Sequence, residues 1–240
     1  MTREDPRLQQ HQLIEGSDLQ VLDDPESILL PVLKRVGYAP EAVSEVLRER
    51  TVGLIGAGLA AIRVGLVDRM AGIRSWAGGR ILAGDLCIES ARWSRLLNGM
   101  RSPEVVYCFV LTLGEGFDDL TAERRSDSLF DAYVLDALGS HAAECLADRV
   151  AASIAGSAAS KGYEWSHRFS PGYCDWNLEH GQSAIFQFLE PETIGMRKLP
   201  SGVMVPAKSL SAVTIGARHV ETRSPCGSCK DTGCEYRRPD

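Results

Sequence analysis

Residues 105–113 constrain the fold of this chain more than any other segment. The run reads Val-Val-Tyr-Cys-Phe-Val-Leu-Thr-Leu. A short apolar run rich in β-branched and aromatic residues predicts a buried strand. Helical and strand-like patterns are interspersed around it without a clean strand–helix–strand repeat. The sequence therefore predicts an α+β fold with an antiparallel or mixed sheet.

The remaining patterns divide the chain into helices and strands. Asp24 followed by Pro25 predicts a helix start, Pro31 predicts a kink or a later start, and Gly37 predicts the end. Apolar spacing from Pro40 to about Met70 predicts one long helix or two joined helices. The other predicted helices are a short one capped by Ser90 and three more at about 115–125, 128–155 and 178–189. The other predicted strands are two short ones within 73–88 and one within 203–216.

Composition places the chain among globular proteins and predicts three regions. It has 240 residues, of which 44% are hydrophobic and 24% are charged. The regions are a loosely ordered arm (1–24), a folded domain (25–218) and a cysteine-rich tail (219–240). A formal net charge of −6 without a basic block argues against a nucleic-acid partner. No apolar run is long enough for a bilayer and the first 22 residues lack a signal-peptide core, which predicts a cytoplasmic protein.

A glycine-rich segment imitates a dinucleotide-binding fingerprint. It contains Gly56-x-Gly58-x-x-Ala61. That motif binds a pyrophosphate only between a strand and the start of a helix. Because the residues before it have a helical pattern, we expect these glycines to permit close helix packing, or a kink between two helices, instead.

Residues 168–176 carry the densest set of chemically useful side chains. They read Arg-Phe-Ser-Pro-Gly-Tyr-Cys-Asp-Trp. Pro171 fixes its own φ and Gly172 can take a positive φ, so the pair predicts a tight turn. The turn is expected to present four side chains around one spot: Arg168, Tyr173, Cys174 and Trp176. A guanidinium suits a carboxylate or phosphate; the alternative is an ordinary turn with its arginine packed on an aromatic ring.

Three cysteines near the end of the chain suggest a metal site. Cys226, Cys229 and Cys234 form a C-x2-C-x4-C pattern. Structural zinc and most iron–sulfur clusters take four ligands, and Cys174 in the Pro-Gly turn is the candidate for the fourth. The alternative is a tail whose thiols simply stay reduced. Three other cysteines lie in apolar patterns and are predicted core residues: Cys87, Cys108 and Cys145.

The stretch Arg168-Phe-Ser-Pro-Gly-Tyr173 resembles the Arg-x-x-Pro-Gly-Tyr signature of the activation domain of cobalamin-dependent methionine synthase. Residues 111–114, 135–140 and 204–211 resemble short stand-alone relatives of that domain in order and spacing. The resemblance covers roughly residues 25–216. It implies an α+β fold with a twisted antiparallel sheet and long helices, binding of S-adenosylmethionine, and docking against a corrinoid-bearing partner.

The same resemblance implies roles for individual residues. Arg168 would hold the ligand's carboxylate, and the turn from Pro171 and Gly172 through Tyr173 and Cys174 would line the rest of the site. In the family an acidic residue on the preceding helix meets the ligand's amino group. Ser140 stands at that position here, and Glu144 lies one turn later on the same helix face.

Three functions are consistent with these residues. The first is a stand-alone activation-type subunit that supports a corrinoid-dependent methyltransferase such as methionine synthase through reductive remethylation with S-adenosylmethionine. The second is a metalloprotein, in which Cys174 and the tail hold zinc or an iron–sulfur cluster for docking or electron transfer to a corrinoid protein. The third is a module that only recognises such a protein. Cobalamin itself is expected only through a partner, because the chain lacks an Asp-x-His-x-x-Gly signature.

Overall fold

A six-stranded sheet lies at the centre of the computed structural model, which describes residues 24–39, 43–159 and 162–220. Its strands are β1 (Gly65–Ala77), β2 (Arg80–Ala83), β3 (Leu86–Glu89), β4 (Arg101–Thr112), β5 (Glu164–Trp165) and β8 (Ser209–His219). Their order across the sheet is β3-β2-β1-β4-β8-β5, and every neighbouring pair is antiparallel. A separate hairpin joins β6 (Arg197–Lys198) to β7 (Met204–Val205).

Helices cover both faces of the sheet. They are α1 (Pro25–Val36), α2 (Glu45–Ala61), α3 (Ala91–Asn98), α4 (Glu115–Asp127), α5 (Leu129–Ala159) and α6 (Leu178–Leu189). Helices α1, α2, α4 and α5 pack together over one face, and α3 and α6 lie on the other. The α+β class with an antiparallel sheet and long helices is thus confirmed. Within the described ranges, none of these helices has the length and apolar character needed to cross a bilayer.

Strand β4 is buried on both of its faces, which explains its continuous apolar sequence. Tyr107 and Phe109 point into the core beneath α5. Cys108 and Val110, on the opposite face, belong to the core shared with α3 and α6. The buried strand predicted over 105–113 is confirmed, and it begins four residues earlier, at Arg101.

Side-chain caps fix the helix starts that the sequence predicted. An oxygen of Asp24 accepts the N–H of Glu26 at 3.0 Å, and α1 then continues through Pro31. Ser90 caps α3 by accepting the N–H of Trp93 at 3.1 Å. Capping of this kind satisfies backbone donors that have no partner inside the helix. The alternative of a later start for α1 is wrong.

The helix predicted from Pro40 to Met70 is wrong beyond Ala61. Helix α2 ends there, and residues 65–72 pair with residues 105–112 of β4 instead. Leu66 fits two patterns. It lies four residues after Ile62, as on one face of a helix, and it also begins the series Leu66, Asp68 and Met70, whose spacing of two places them on one face of a strand. The strand forms because eight consecutive residues pair with the central strand β4. The periodicity of a short segment cannot reveal this pairing, since the partner lies elsewhere in the chain.

The two other predicted strand regions differ from the observed strands in their extent. The region 73–88, predicted as two short strands, contains the end of the long β1 followed by β2 and β3. The region 203–216 contains the short β7 and then β8, with a cis peptide bond between Val205 and Pro206.

The glycine-rich segment that imitates a nucleotide-binding loop lies inside α2. Gly58 faces α5, where a Cβ atom would lie 2.4 Å from Leu138 and 3.1 Å from Leu135. A Cβ on Gly56 would meet no heavy atom within 4 Å. The expected close helix packing is therefore confirmed at Gly58.

These two glycines make a matched pair for a stability measurement. Gly56→Ala should stabilise the protein by up to about 1 kcal/mol, because alanine favours the helix and meets nothing. Gly58→Ala should be less stable than Gly56→Ala by about 1–3 kcal/mol, because its methyl group overpacks a core in which both leucines are fully buried. Urea unfolding of the two variants measures the difference; equal stabilities would contradict the packing at Gly58.

Candidate functional site

Residues 168–176, which we call the strap, run from the sheet edge to α6. Phe169 exchanges two backbone hydrogen bonds with Val213 of β8, each 2.8 Å long. The strap ends directly before Asn177, whose side chain caps α6. The path of the strap is thus fixed by a strand at one end and a helix at the other.

The middle of the strap is a pair of tight turns. The N–H of Tyr173 donates to the carbonyl of Ser170 at 3.2 Å, and Gly172 has a φ of 91°. Proline followed by a residue with positive φ is the pattern of a type II turn. A second turn joins the N–H of Trp176 to the carbonyl of Tyr173 at 3.1 Å. The tight turn predicted from Pro171 and Gly172 is present.

Arg168 connects the strap to α5 through two carboxylates. Its Nε donates to Asp148 at 3.0 Å, and one Nη donates to Glu144. The arginine side chain is only 10% exposed, whereas that of Asp148 is 53% exposed. Burial lowers the pKa of Arg168, but the hydrogen bonds and charges of the two carboxylates outweigh burial and raise it above its ordinary value. The guanidinium is therefore a permanent charge at this point of the surface.

The far half of the strap is attached to the opposite layer. The rings of Phe169 and Trp176 are stacked at 5.8 Å with an interplanar angle of 6°, and Phe169 also packs on Trp93 of α3 at 4.3 Å. The carboxylate of Asp175 accepts the hydroxyl of Ser90 at 2.6 Å and the N–H of Arg92 at 3.0 Å. The strap therefore joins α5 on one face of the sheet to α3 on the other.

The four side chains expected around one spot divide into three groups. Trp176 is 2% exposed and belongs to the core, so its predicted place at the spot is wrong. Its ring lies against Gly181 of α6, where the absence of a side chain makes room for it. Tyr173 is 59% exposed, and Cys174 is exposed beside it. Arg168 reaches back to Glu144 and Asp148 of α5.

Ser140 interacts with a cation rather than lying open for a ligand's amino group. Its hydroxyl accepts from Nζ of Lys208 at 3.0 Å and donates to the carbonyl of Asp136 at 3.0 Å. Lys208 also donates to the carboxylate of Asp136 at 2.8 Å. Its stem crosses Gly139, where a Cβ would lie 2.7 Å from the lysine Cγ. A second ammonium group at Ser140 would be repelled by this lysine.

Three of the four stretches that carry the resemblance meet along α5. Four of its residues, spaced by four, share one side of the helix and receive both cations: Asp136, Ser140, Glu144 and Asp148. Lys208 comes from the stretch 204–211 and Arg168 from the strap. The contacts of Asp148 and Lys208 were not predicted from the sequence. The four-residue spacing on α5 was the available signal for Asp148.

The predicted four-cysteine site falls mostly outside the described residues. Cys226, Cys229 and Cys234 all lie beyond residue 220, the last one described. Over the ranges 24–39, 43–159 and 162–220, no group of three or more potential metal ligands forms. Cys174 lies at the outer side of the strap with a φ of 56°. The shared site stays a prediction.

Comparison with known proteins identifies one fold. No protein-family model and no curated protein matches the sequence. Among solved structures, the MetH reactivation domain bound to AdoHcy is similar, with a TM-score of 0.59 and 16% sequence identity. The match covers 90% of this chain and 80% of that one. The chain therefore has the fold that the resemblance implied.

Proposed function

We propose that this chain binds S-adenosylmethionine at the strap and acts as an activation-type subunit for a corrinoid-dependent methyltransferase. The observation that carries the proposal is the meeting of Arg168 with Glu144 and Asp148 beside the exposed turn at Tyr173. The similar solved domain is bound to AdoHcy, the product that S-adenosylmethionine leaves after methyl transfer.

The charges around Arg168 fit an amino-acid end group. Arg168 contacts two carboxylates, those of Glu144 and Asp148. A guanidinium has five donors, and the described contacts use Nε and one N–H of a terminal nitrogen. The other terminal nitrogen offers donors to a ligand carboxylate, while Glu144 and Asp148 attract the ligand's ammonium group. An α-amino acid carries both groups on one carbon atom.

Glu144 takes over the role that the resemblance gave to position 140. Ser140 is neutral and bonded to Lys208, so it cannot offset an ammonium charge. Glu144 lies one helical turn further along α5 and contacts Arg168 directly. Carboxylate and amino group of the ligand are thus recognised by neighbouring side chains, as they must be when only one carbon atom separates them.

The proposed reaction asks this chain to position a ligand. Reactivation of a partner's corrinoid would take one electron from an external donor and the methyl group of the sulfonium, with S-adenosylhomocysteine as the leaving group. Positioning the reactants supplies a large part of the rate of such a step. The strap, together with Glu144 and Asp148 of α5, would hold the methyl donor.

The first prediction from the proposed function concerns the guanidinium. Arg168→Ala should weaken S-adenosylmethionine binding by about 2–4 kcal/mol, because a charge-assisted bidentate contact is lost. The affinity of Arg168→Lys should lie between those of Arg168→Ala and the wild type, because lysine keeps the charge but lacks the forked guanidinium. Arg48→Ala, which removes the ion pair with Glu26 between α1 and α2, is the control. Calorimetry that detects no wild-type binding at millimolar ligand would contradict the proposal.

The partner is proposed to dock over the turn of the strap. Leu178 abuts Gly172 on one side, and its backbone contacts Gly202 of the β6–β7 hairpin on the other. Exposed apolar side chains continue across these three segments: Tyr173, Leu178, Leu199 and Val203. This surface adjoins the turn at which the methyl donor is proposed to bind, and exposed apolar surface is typical of a protein interface.

The second prediction concerns this surface. Val203→Asp should slow methylcobalamin formation on a purified corrinoid-binding protein supplied with S-adenosylmethionine and a low-potential reductant. The control is Val46→Asp on α2, which changes a valine that is more exposed than Val203 and lies away from the strap. Absorbance spectra follow the reaction. Equal rates for both variants, or tight stoichiometric corrinoid in the isolated chain, would refute this division of labour.

We also propose that Cys174 and the tail share one metal ion or cluster. Cys174 is exposed on a turn held by two backbone hydrogen bonds, so its thiol has a fixed origin from which to reach a ligand set. A cluster would supply the electron for remethylation, because cluster potentials extend to about −700 mV. Zinc would only hold the tail against the strap.

The third prediction tests this site by metal content. Protein purified without oxygen should contain about one equivalent of zinc or an iron–sulfur cluster, and Cys174→Ser should lower that content. Cys87→Ser, which changes a half-buried thiol on β3, should leave it unchanged. A brown protein would indicate an iron–sulfur cluster, whereas a colourless protein that contains zinc would indicate a structural zinc ion. Unchanged metal in Cys174→Ser would exclude Cys174 as a ligand.

A further inference from the structure

Asp175 connects the ligand-binding half of the strap to the start of α3. Its two oxygens accept separate donors, the hydroxyl of Ser90 at 2.6 Å and the N–H of Arg92 at 3.0 Å. Ser90 is itself 2% exposed and accepts the N–H of Trp93. The carboxylate thus completes the cap of α3 from a distant part of the chain.

The residue before Asp175 has a conformation that its neighbours must enforce. Cys174 has a φ of 56°, in the left-handed region that is unfavourable for side chains other than glycine. Such a residue persists only where the surrounding structure over-determines it. Here the N–H of Gly172 donates to the carbonyl of Trp176 at 2.8 Å, and the side chain of Asp175 anchors the segment between them.

The anchor is electrostatic as well as geometric. A negative charge near a helix N-terminus is favoured by the exposed N–H groups and the helix dipole. Partial burial raises the pKa of Asp175, but its hydrogen bonds from Ser90 and from the N–H of Arg92 outweigh burial and hold that pKa below the ordinary value. The group is therefore ionised, and keeps both contacts, throughout the neutral pH range.

We propose that Asp175 is a positioning residue for the ligand. By holding the strap on α3, it keeps the backbone from Gly172 to Cys174 in the shape that lines the bound S-adenosyl compound. Asp175 does not touch the ligand. The effect of Asp175 on ligand binding rests on the proposed function. The effect of Asp175 on the shape of the strap rests on the observed hydrogen bonds alone.

Two variants of Asp175 and one distant control separate positioning from general stability. Asp175→Ala removes both contacts with α3, and Asp175→Asn keeps an acceptor for the N–H of Arg92. Asp24→Ala removes a comparable aspartate cap from α1, far along the chain from the strap. The readouts are thermal unfolding, hydrogen exchange of the amides of Gly172, Tyr173 and Trp176, and the Kd of S-adenosylhomocysteine.

Asp175→Ala should speed exchange of the three strap amides and raise the Kd, each by about fivefold, the size of a lost cap. Asp175→Asn should recover much of both effects. Asp24→Ala should lower the unfolding midpoint similarly while leaving strap exchange and the Kd at wild-type values. A simple loss of stability predicts no such difference between the two alanine variants.

Three results would count against these ideas in distinct ways. Wild-type exchange of the strap amides in Asp175→Ala would overturn the anchoring role, whether or not ligand binds. Faster exchange with an unchanged Kd would overturn the positioning role. Failure of the wild type to bind S-adenosylhomocysteine would overturn the proposed function, and with it the role of Asp175 toward that ligand, while the exchange rates would still decide whether it anchors the strap.

Discussion

The pairing of β4 with β8 is the constraint on which the rest of the structure depends. The two strands are in register from Arg101 opposite His219 to Thr112 opposite Ser209, with one irregularity near Pro103. Their side chains alternate between two separate cores. Because both faces are thereby covered with helices, the open edge beyond β8 is where a segment can contact both layers. The strap occupies that edge.

Because the strap lies at an edge of the sheet, its ends are held in place while its middle is exposed. Phe169 continues the sheet and Trp176 enters the core, so the ends of the segment are buried. The turn between them leaves Tyr173 and Cys174 at the surface. A ligand-binding loop benefits from this arrangement, since its geometry is set before binding and little ordering entropy remains to be lost.

Two ion-pair contacts attach distant segments to the same side of α5. Lys208 contacts Asp136, and Arg168 contacts Glu144 and Asp148. The first contact holds the start of β8 against the helix, and the second holds the strap against it. One side of a single helix therefore positions two segments that lie far apart in the chain.

The sequence by itself determined the elements with strong local signals. Caps at Asp24 and Ser90, the turn at Pro171 and Gly172, and the apolar run of β4 all depend on neighbouring residues, so they can be read from a single chain. Only the tertiary structure decided that residues 65–70 form a strand, because their partner lies about forty residues away. It also decided that Trp176 lies in the core and that Lys208 donates a hydrogen bond to Ser140. Those outcomes depend on which distant groups share a surface, and burial and charge pairing between distant residues leave no periodicity in the sequence.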